Sequence, residues 1–205
     1  MKRLSVALLL AVLILASPAL AIAGEAGMTS LGLRVGYWQY KGDEAAFGGQ
    51  AELGADPAFG FGASASYFPI NNFALVFDVD HVRTKLNINE MEVGDLHQTP
   101  ILLSLRFQPT LGDYFMPYLG GGGGYYLNYF KHFYSQLQNT SVKDNFGWHL
   151  CFGADYLLDE LLTPNTALSL DVRYAANRTE EENIPNPDPL TLDAWVISSG
   201  FKIYW

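Results

Sequence analysis

Between residues 101 and 108 the chain alternates. Ile101, Leu103, Leu105 and Phe107 share one face, while Ser104, Arg106 and Gln108 share the other, with Leu102 the one apolar exception. Side chains alternate with period two along a strand, so this is a strand with an apolar and a polar face. A short turn at 109–113 leads into a second, longer strand over 115–130, which holds the run Gly120-Gly121-Gly122-Gly123-Gly124. The same rule places six further strands. They cover about 29–39 (Leu31, Leu33, Val35, Tyr37 against Gly32, Arg34, Gly36, Trp38), 58–68 (Phe59, Phe61, Ala63 against Gly60, Gly62, Ser64) and 73–84 (Phe73, Leu75, Phe77, Val79 against Asp78, Asp80). The rest cover 145–157 (Phe146, Trp148, Leu150, Phe152 against His149, Cys151, Asp155), 166–175 (Leu168, Leu170, Val172 against Ser169, Asp171, Arg173) and 191–205 (Trp195, Ile197, Phe201, Ile203 against Ser198, Gly200, Lys202).

The connections at 40–57, 85–98, 131–144 and 176–189 are long and polar, and those between them are short. Eight strands with alternating short and long connections predict an all-β fold, an eight-stranded antiparallel up-and-down transmembrane β-barrel. Both termini and the short turns then face the periplasm. Aromatic residues gather at the strand ends. Tyr67, Tyr114, Phe115, Tyr156, Phe201 and Trp205 are expected in the periplasmic girdle. Tyr37, Tyr129, Trp148, Tyr174 and Trp195 are expected in the outer one. A soluble lipocalin-like barrel would turn the apolar faces inward. Alternation alone does not separate the two, and the aromatic ends, the acidic loops and the N-terminus argue for lipid outside.

That N-terminus reads as an address. Lys2 and Arg3 precede an apolar run from Val6 to Ala16, Ser17-Pro18 breaks it, and small residues allow cleavage after Ala21 or Ala23. Residues 1–23 are therefore expected to be a cleaved signal peptide, and 24–205 the barrel domain in the outer membrane. Loss of Lys2 and Arg3 takes the formal charge from -9 to about -11, which excludes nucleic acid as a partner because phosphate binding needs clustered Lys and Arg. A single cysteine, Cys151, excludes an internal disulfide framework.

The inward faces carry the candidate chemistry. Arg34, Arg106, Arg173 and Lys202 stand against Asp78, Asp80, Asp155 and Asp171. An interior just wide enough for side chains predicts that they pair as an ionic network, because buried charges cost several kcal/mol unless paired. Trp38 and Tyr126 fall on the same face nearer the outer end, as an apolar funnel above that plug. An apolar solute would enter there and leave sideways into the bilayer, through a wall loosened by the glycine run or by a bulge beside it.

Other signals are weaker. The glycine run lacks the Lys-Ser/Thr of a phosphate-binding loop, so no nucleotide cofactor is expected. His149 and Cys151 are too few for a metal site, and His81, His97 and His132 are scattered. No histidine is followed two residues later by serine, as in lipid-trimming barrels, and no nucleophile has an adjacent base, so the chain does not read as an enzyme.

The hairpin with its Pro117-Tyr118-Leu119-Gly120 run, His97-x-x-Pro100, Gly153-x-Asp155-Tyr156 and the terminal strand from Trp195 to Trp205 together resemble the outer membrane protein W family. The resemblance implies passive diffusion of small, often hydrophobic molecules. It also implies outer-membrane lipid and lipopolysaccharide as surroundings, and barrel-assembly machinery that reads Phe201, Ile203 and Trp205. Trp205 stands where outer-membrane strands read by that machinery usually end in Phe. The alternative is a non-transporting barrel whose loops serve envelope stability, adhesion or phage and toxin recognition.

Overall fold

The computed structural model describes residues 24–41, 44–46, 51–88, 91–133, 141–158, 165–182 and 189–205; the expected signal peptide lies outside them. Eight long strands follow one another: β1 (Thr29–Tyr40), β2 (Ala58–Ile70), β3 (Phe73–Ile88), β4 (Met91–Phe107), β5 (Phe115–His132), β6 (Asn145–Leu157), β7 (Thr166–Ala176) and β8 (Ala194–Tyr204). Each pairs antiparallel with its sequence neighbours, and β1 pairs with β8 from Ser30↔Tyr204 to Tyr40↔Ala194, so the sheet closes on itself. Closure leaves no edge, which a membrane-spanning sheet requires because lipid offers backbone groups no partner.

The faces follow the alternation. Leu33, Val35, Phe59, Phe61, Leu103, Leu105, Leu150 and Leu170 point out, more than half exposed, while Asp78, Arg106, Asp155 and Arg173 are buried inside. An apolar outer wall of this kind belongs in lipid. Rings gather at its two ends. Trp148, Tyr174 and Trp195 form a chain with centroids 5.9 and 5.1 Å apart at the outer end, and Phe73 packs 5.2 Å from Phe107 at the periplasmic end.

Two parts of the strand reading need correction. The expected loop at 85–98 is mostly sheet: β3 and β4 pair on to Ile88↔Met91, with one register shift at Leu86/Asn87. Short strands also form in the other outer connections, at Glu44–Ala46, Ala51–Ala55, Ser141–Val142, Arg178–Glu182 and Pro189–Thr191. Above the bilayer, water can wet both sides of a hairpin, so these polar segments pair without the apolar alternation that marks a lipid-facing strand. Strand eight accordingly begins at Ala194, not 191.

The periplasmic end is tied down by the segment before β1. Gly27 N donates to Phe68 O at 2.8 Å, Asn72 N to Gly24 O at 2.9 Å, and Ala26 N to the Asn71 side chain at 2.8 Å. Asn72 takes φ +65° in the two-residue turn between β2 and β3, a conformation asparagine tolerates.

The five-glycine run is neither a loop nor a bend. It pairs without a shift to β4 (Leu102↔Gly124 to Arg106↔Gly120) and to β6 (Gly124↔Gly147 to Gly120↔Cys151). A Cβ at Gly122 would stand 1.9 Å from Leu103 O, so the neighbouring backbone itself occupies the space. Gly122→Ala is expected to destabilise the barrel by about 1–3 kcal/mol through overpacking, read as a lower temperature at which the folded band disappears on unheated gels.

Candidate functional site

Several large inward side chains sit where a neighbouring strand offers no side chain. Arg34 lies opposite Gly62 on β2 and Gly200 on β8, Arg106 opposite Gly120, Tyr118 opposite Gly153, and Lys202 opposite Gly32. The fit is close: a Cβ at Gly62 would meet the Asp80 carboxylate at 1.9 Å. The inward glycines are thus part of the site, and strand register, which pairs each with its long partner, is what single-strand reading lacks.

At mid-barrel, three arginines and three aspartates form one cluster. Asp78, fully buried, is the hub: it takes Arg34 Nη1 at 2.6 Å, Arg173 Nη2 at 3.1 Å and Arg106 Nη2 at 3.3 Å. Arg34 also grips Asp80 with Nε at 2.8 Å and Nη2 at 2.6 Å, a bidentate fork. Arg173 reaches Asp80 at 3.3 Å and Asp171 at 3.6 Å. Tyr118 donates to Asp171 at 2.8 Å, and its ring lies under the Arg106 guanidinium at 4.6 Å.

Lys202 and Asp155 do not join this cluster. They pair lower down at 2.8 Å, where Gln108 also donates to Asp155 at 2.7 Å and the Tyr204 hydroxyl bonds the same carboxylate. The eight charged residues therefore form two balanced groups, one of three against three and one of one against one. A small cavity beside Arg34, Ser64, Arg106, Tyr118 and Asp171 has room for about one water.

Apolar clusters lie at both ends. Below the charges, Met28, Phe68, Val76, Met116, Leu157 and Tyr204 fill the periplasmic end. Above them, Trp38, Tyr40, Val82, Leu86, Leu96 and Val196 pack with Val142 and Leu192 from the outer connections. Trp38 belongs to this upper cluster, and Tyr126, also buried, lies against Gly147. Among the described residues the upper interior holds this packed apolar cluster, with Gln98 and Thr84 buried beside it.

His149 and Cys151 do different things. His149 Nε2 bonds Ser104 Oγ at 2.7 Å inside the barrel, and Cys151 is buried between Arg173 and Gly120. Among the described residues no group of three or more His, Cys, Asp or Glu is placed to hold a metal ion. The C-terminal Phe201 and Ile203 face outward, and Trp205 exchanges backbone hydrogen bonds with Thr29 at 2.9 and 3.0 Å.

The β3–β4 ladder lapses at a place away from the one sequence reading picked out. The β3–β4 pairing runs to Val79↔Ile101 and resumes at Val82↔Gln98 in the same register. The lapse falls opposite Thr99 and Pro100. Proline has no N–H to give. The carbonyls of Ile101 and Leu103 lie toward β5, so the hydrogen-bonding groups of residue 100, one step along the strand, turn the other way, toward β3. The missing donor thus opens the seam between β3 and β4, while β4–β5 pairing continues through Pro100↔Tyr126. On the outer face of the seam, His81 Nδ1 and Thr99 Oγ1 hydrogen-bond at 3.0 Å. At the glycine run, by contrast, pairing is continuous on both sides and carries no bulge.

A closed barrel with an apolar outer wall, aromatic ends and a charged, filled interior defines a bacterial outer-membrane protein. The chain belongs to the outer membrane protein beta-barrel domain family, whose model matches residues 7–202. Its fold is similar to that of the outer membrane protein OprG from Pseudomonas aeruginosa, at 18% identity and TM-score 0.70, covering 90% of this chain and 99% of that one. It is also similar to the outer membrane protein AlkL studied in DMPC lipid bilayers, at 23% identity and TM-score 0.59, covering 92% and 95% of the two chains. Neisserial surface protein A is a third, at 18% identity and TM-score 0.59, covering 86% and 98%. Comparison with curated proteins gives no match.

Proposed function

We propose that the protein is a passive route for small apolar molecules, of the outer membrane protein W type, that bypasses the lumen. The observation that carries this reading is the Pro100 seam, set between the apolar upper cluster and the Asp80 carboxylate. Val82 and Leu96 line the interior just above the lapse. A solute working in through the upper cluster meets charge below it. Straight passage would mean displacing ion pairs and then the periplasmic apolar cluster. Moving sideways costs only the separation of two strands where the ladder already lacks a bond.

Pro100→Ala restores one backbone donor. A net hydrogen bond contributes about 0.5–1.5 kcal/mol, so opening the seam becomes roughly two- to tenfold rarer. Uptake of an apolar fluorescent solute into proteoliposomes is expected to fall by that factor, with ion conductance unchanged. Removing plug charges as a pair, Arg106→Ala with Asp78→Ala, is expected to raise conductance and leave apolar uptake nearly as it was. If both rise together, solutes pass through the lumen and the lateral route is wrong.

The filled interior favours a second reading, a sealed barrel that serves envelope stability, adhesion or recognition through its outer connections. Under that reading, uptake equals that of protein-free vesicles in every variant. In either case the outward Phe201 and Ile203 with Trp205 suit recognition of the last strand by assembly machinery, before β8 closes on β1.

A further inference from the structure

Outside the leader and the barrel interior the chain has six basic side chains, Lys41, Arg83, Lys85, Lys131, Lys143 and Arg178. Three of them share one patch of outer wall. Across β3, β4 and β5, Arg83 stands opposite His97, and Lys85 opposite Asp95 and then Lys131. Asp95 is buried beneath this patch and takes Arg83 Nη2 at 2.7 Å, which holds its carboxyl below the usual range. Lys85 pairs with Glu92 at 2.6 Å. Asp56, whose N–H donates to Lys85 O, brings the patch to three cations against three carboxylates, but Asp95 is buried while Arg83 and Lys85 reach the surface, which leaves cations exposed in a strongly acidic chain.

Arg83 keeps 61% of its side chain exposed. A guanidinium carries five N–H donors, so one ion pair leaves donors for a second anion. The height of the patch is fixed by rings: His97 lies 6.0 Å from Tyr129 and 5.8 Å from His81, which in turn lies 5.5 Å from Phe61. Tyr129 is a residue of the outer aromatic girdle, the level of the lipid headgroups. Directly below, Val79 and Ile101 continue into the apolar wall. A partner that suits both surfaces carries phosphate at the girdle and acyl chains beneath it. A soluble phosphate compound would meet only the first.

We propose that Arg83, Lys85 and Lys131, around His97, hold the phosphate of an outer-leaflet lipid of the phosphorylated lipid A kind. The guanidinium takes the phosphate in its planar fork and the lysines add point charge. This site is independent of any transport through the seam.

The test is native mass spectrometry of the folded protein in detergent with two probes, bisphosphorylated lipid A and the same lipid A with its phosphates removed. A basic side chain near an anionic lipid surface contributes roughly fivefold in affinity. Arg83→Gln with Lys131→Gln is therefore expected to weaken retention of the bisphosphorylated probe by about tenfold or more. Lys41→Gln with Lys143→Gln, the same charge removed elsewhere on the rim, is expected to leave retention unchanged, and Arg83→Lys, which keeps the charge but not the fork, is expected to weaken it less than Arg83→Gln. Retention of the dephosphorylated probe is expected to be weak and equal in all. Folding is checked by the shift on boiling; should the double variant fail that check, Lys131→Gln alone carries the test at about fivefold. Equal binding of both probes overturns the site, as do equal losses in the patch and control pairs or full retention by the patch variant.

Discussion

Asp78→Ala is expected to destabilise the barrel by about 3–5 kcal/mol, the cost of removing one partner from a buried ionic group. Asp78 is fully buried and accepts from Arg34, Arg106 and Arg173. Without it three guanidiniums face two carboxylates, Asp80 and Asp171, and a positive charge is left buried with no counterion. The bore offers little water to screen it. Urea unfolding of the protein in lipid vesicles, followed by tryptophan fluorescence, measures the loss. The informative comparison is the double variant Asp78→Ala with Arg106→Ala, which returns the cluster to two against two. It is expected to recover about 1–2 kcal/mol of the single variant's loss, within the usual range of coupling between touching residues. A double variant that loses the sum of the two single losses would mean that the arginines find other partners and that Asp78 is no hub.

Much of this architecture is legible along the chain, and the parts that are not share a cause. Period-two alternation places each lipid-crossing strand because lipid demands apolar side chains on one face only. It also puts Asp78, Arg106 and their counterparts on the inward face. Above the bilayer that demand stops, so the outer parts of β3 and β4 carry residues such as Lys85, Glu92 and Asp95 with no apolar rhythm, and the sheet there is held by pairing alone. Which charges meet is a property of register: Lys202 and Asp155 join each other below the arginine cluster because their strands bring them to that height. The seam is a similar case. Pro100 is visible in the sequence as a residue without a donor, but only the turn of the Ile101 carbonyl toward β5 shows that the absent bond belongs to β3. Gly120 to Gly124 mislead in the opposite direction. Flexible in isolation, they are paired on both sides and serve as room for Arg106 and the Ser104–His149 bond.

Leu103→Arg tests the outer wall. Leu103 is 57% exposed, paired with Phe77 on β3 and Gly123 on β5, and lies midway along β4 between Phe107 at the periplasmic end and His97 at the outer one. Four residues separate it from Phe107, a rise of about 13 Å along the strand, so the guanidinium has no short path to a headgroup. An arginine near the midplane of a barrel's lipid face costs about 2–4 kcal/mol, falling to about 0–1 near the interfaces. Leu127→Arg, one row below the Tyr129 ring, is expected to cost at the low end of that scale. An arginine at 104 is no gentle control, because Ser104 is buried against His149 and the interior around it is filled. The pair Leu103→Arg and Leu127→Arg is measured by urea unfolding in vesicles and again in detergent micelles, whose looser apolar layer should reduce the difference between them. If this outward face met water instead of lipid, both side chains would already face solvent and both substitutions would cost nearly nothing. A large cost at 103 that falls away at 127 is the response of a wall graded by depth in lipid.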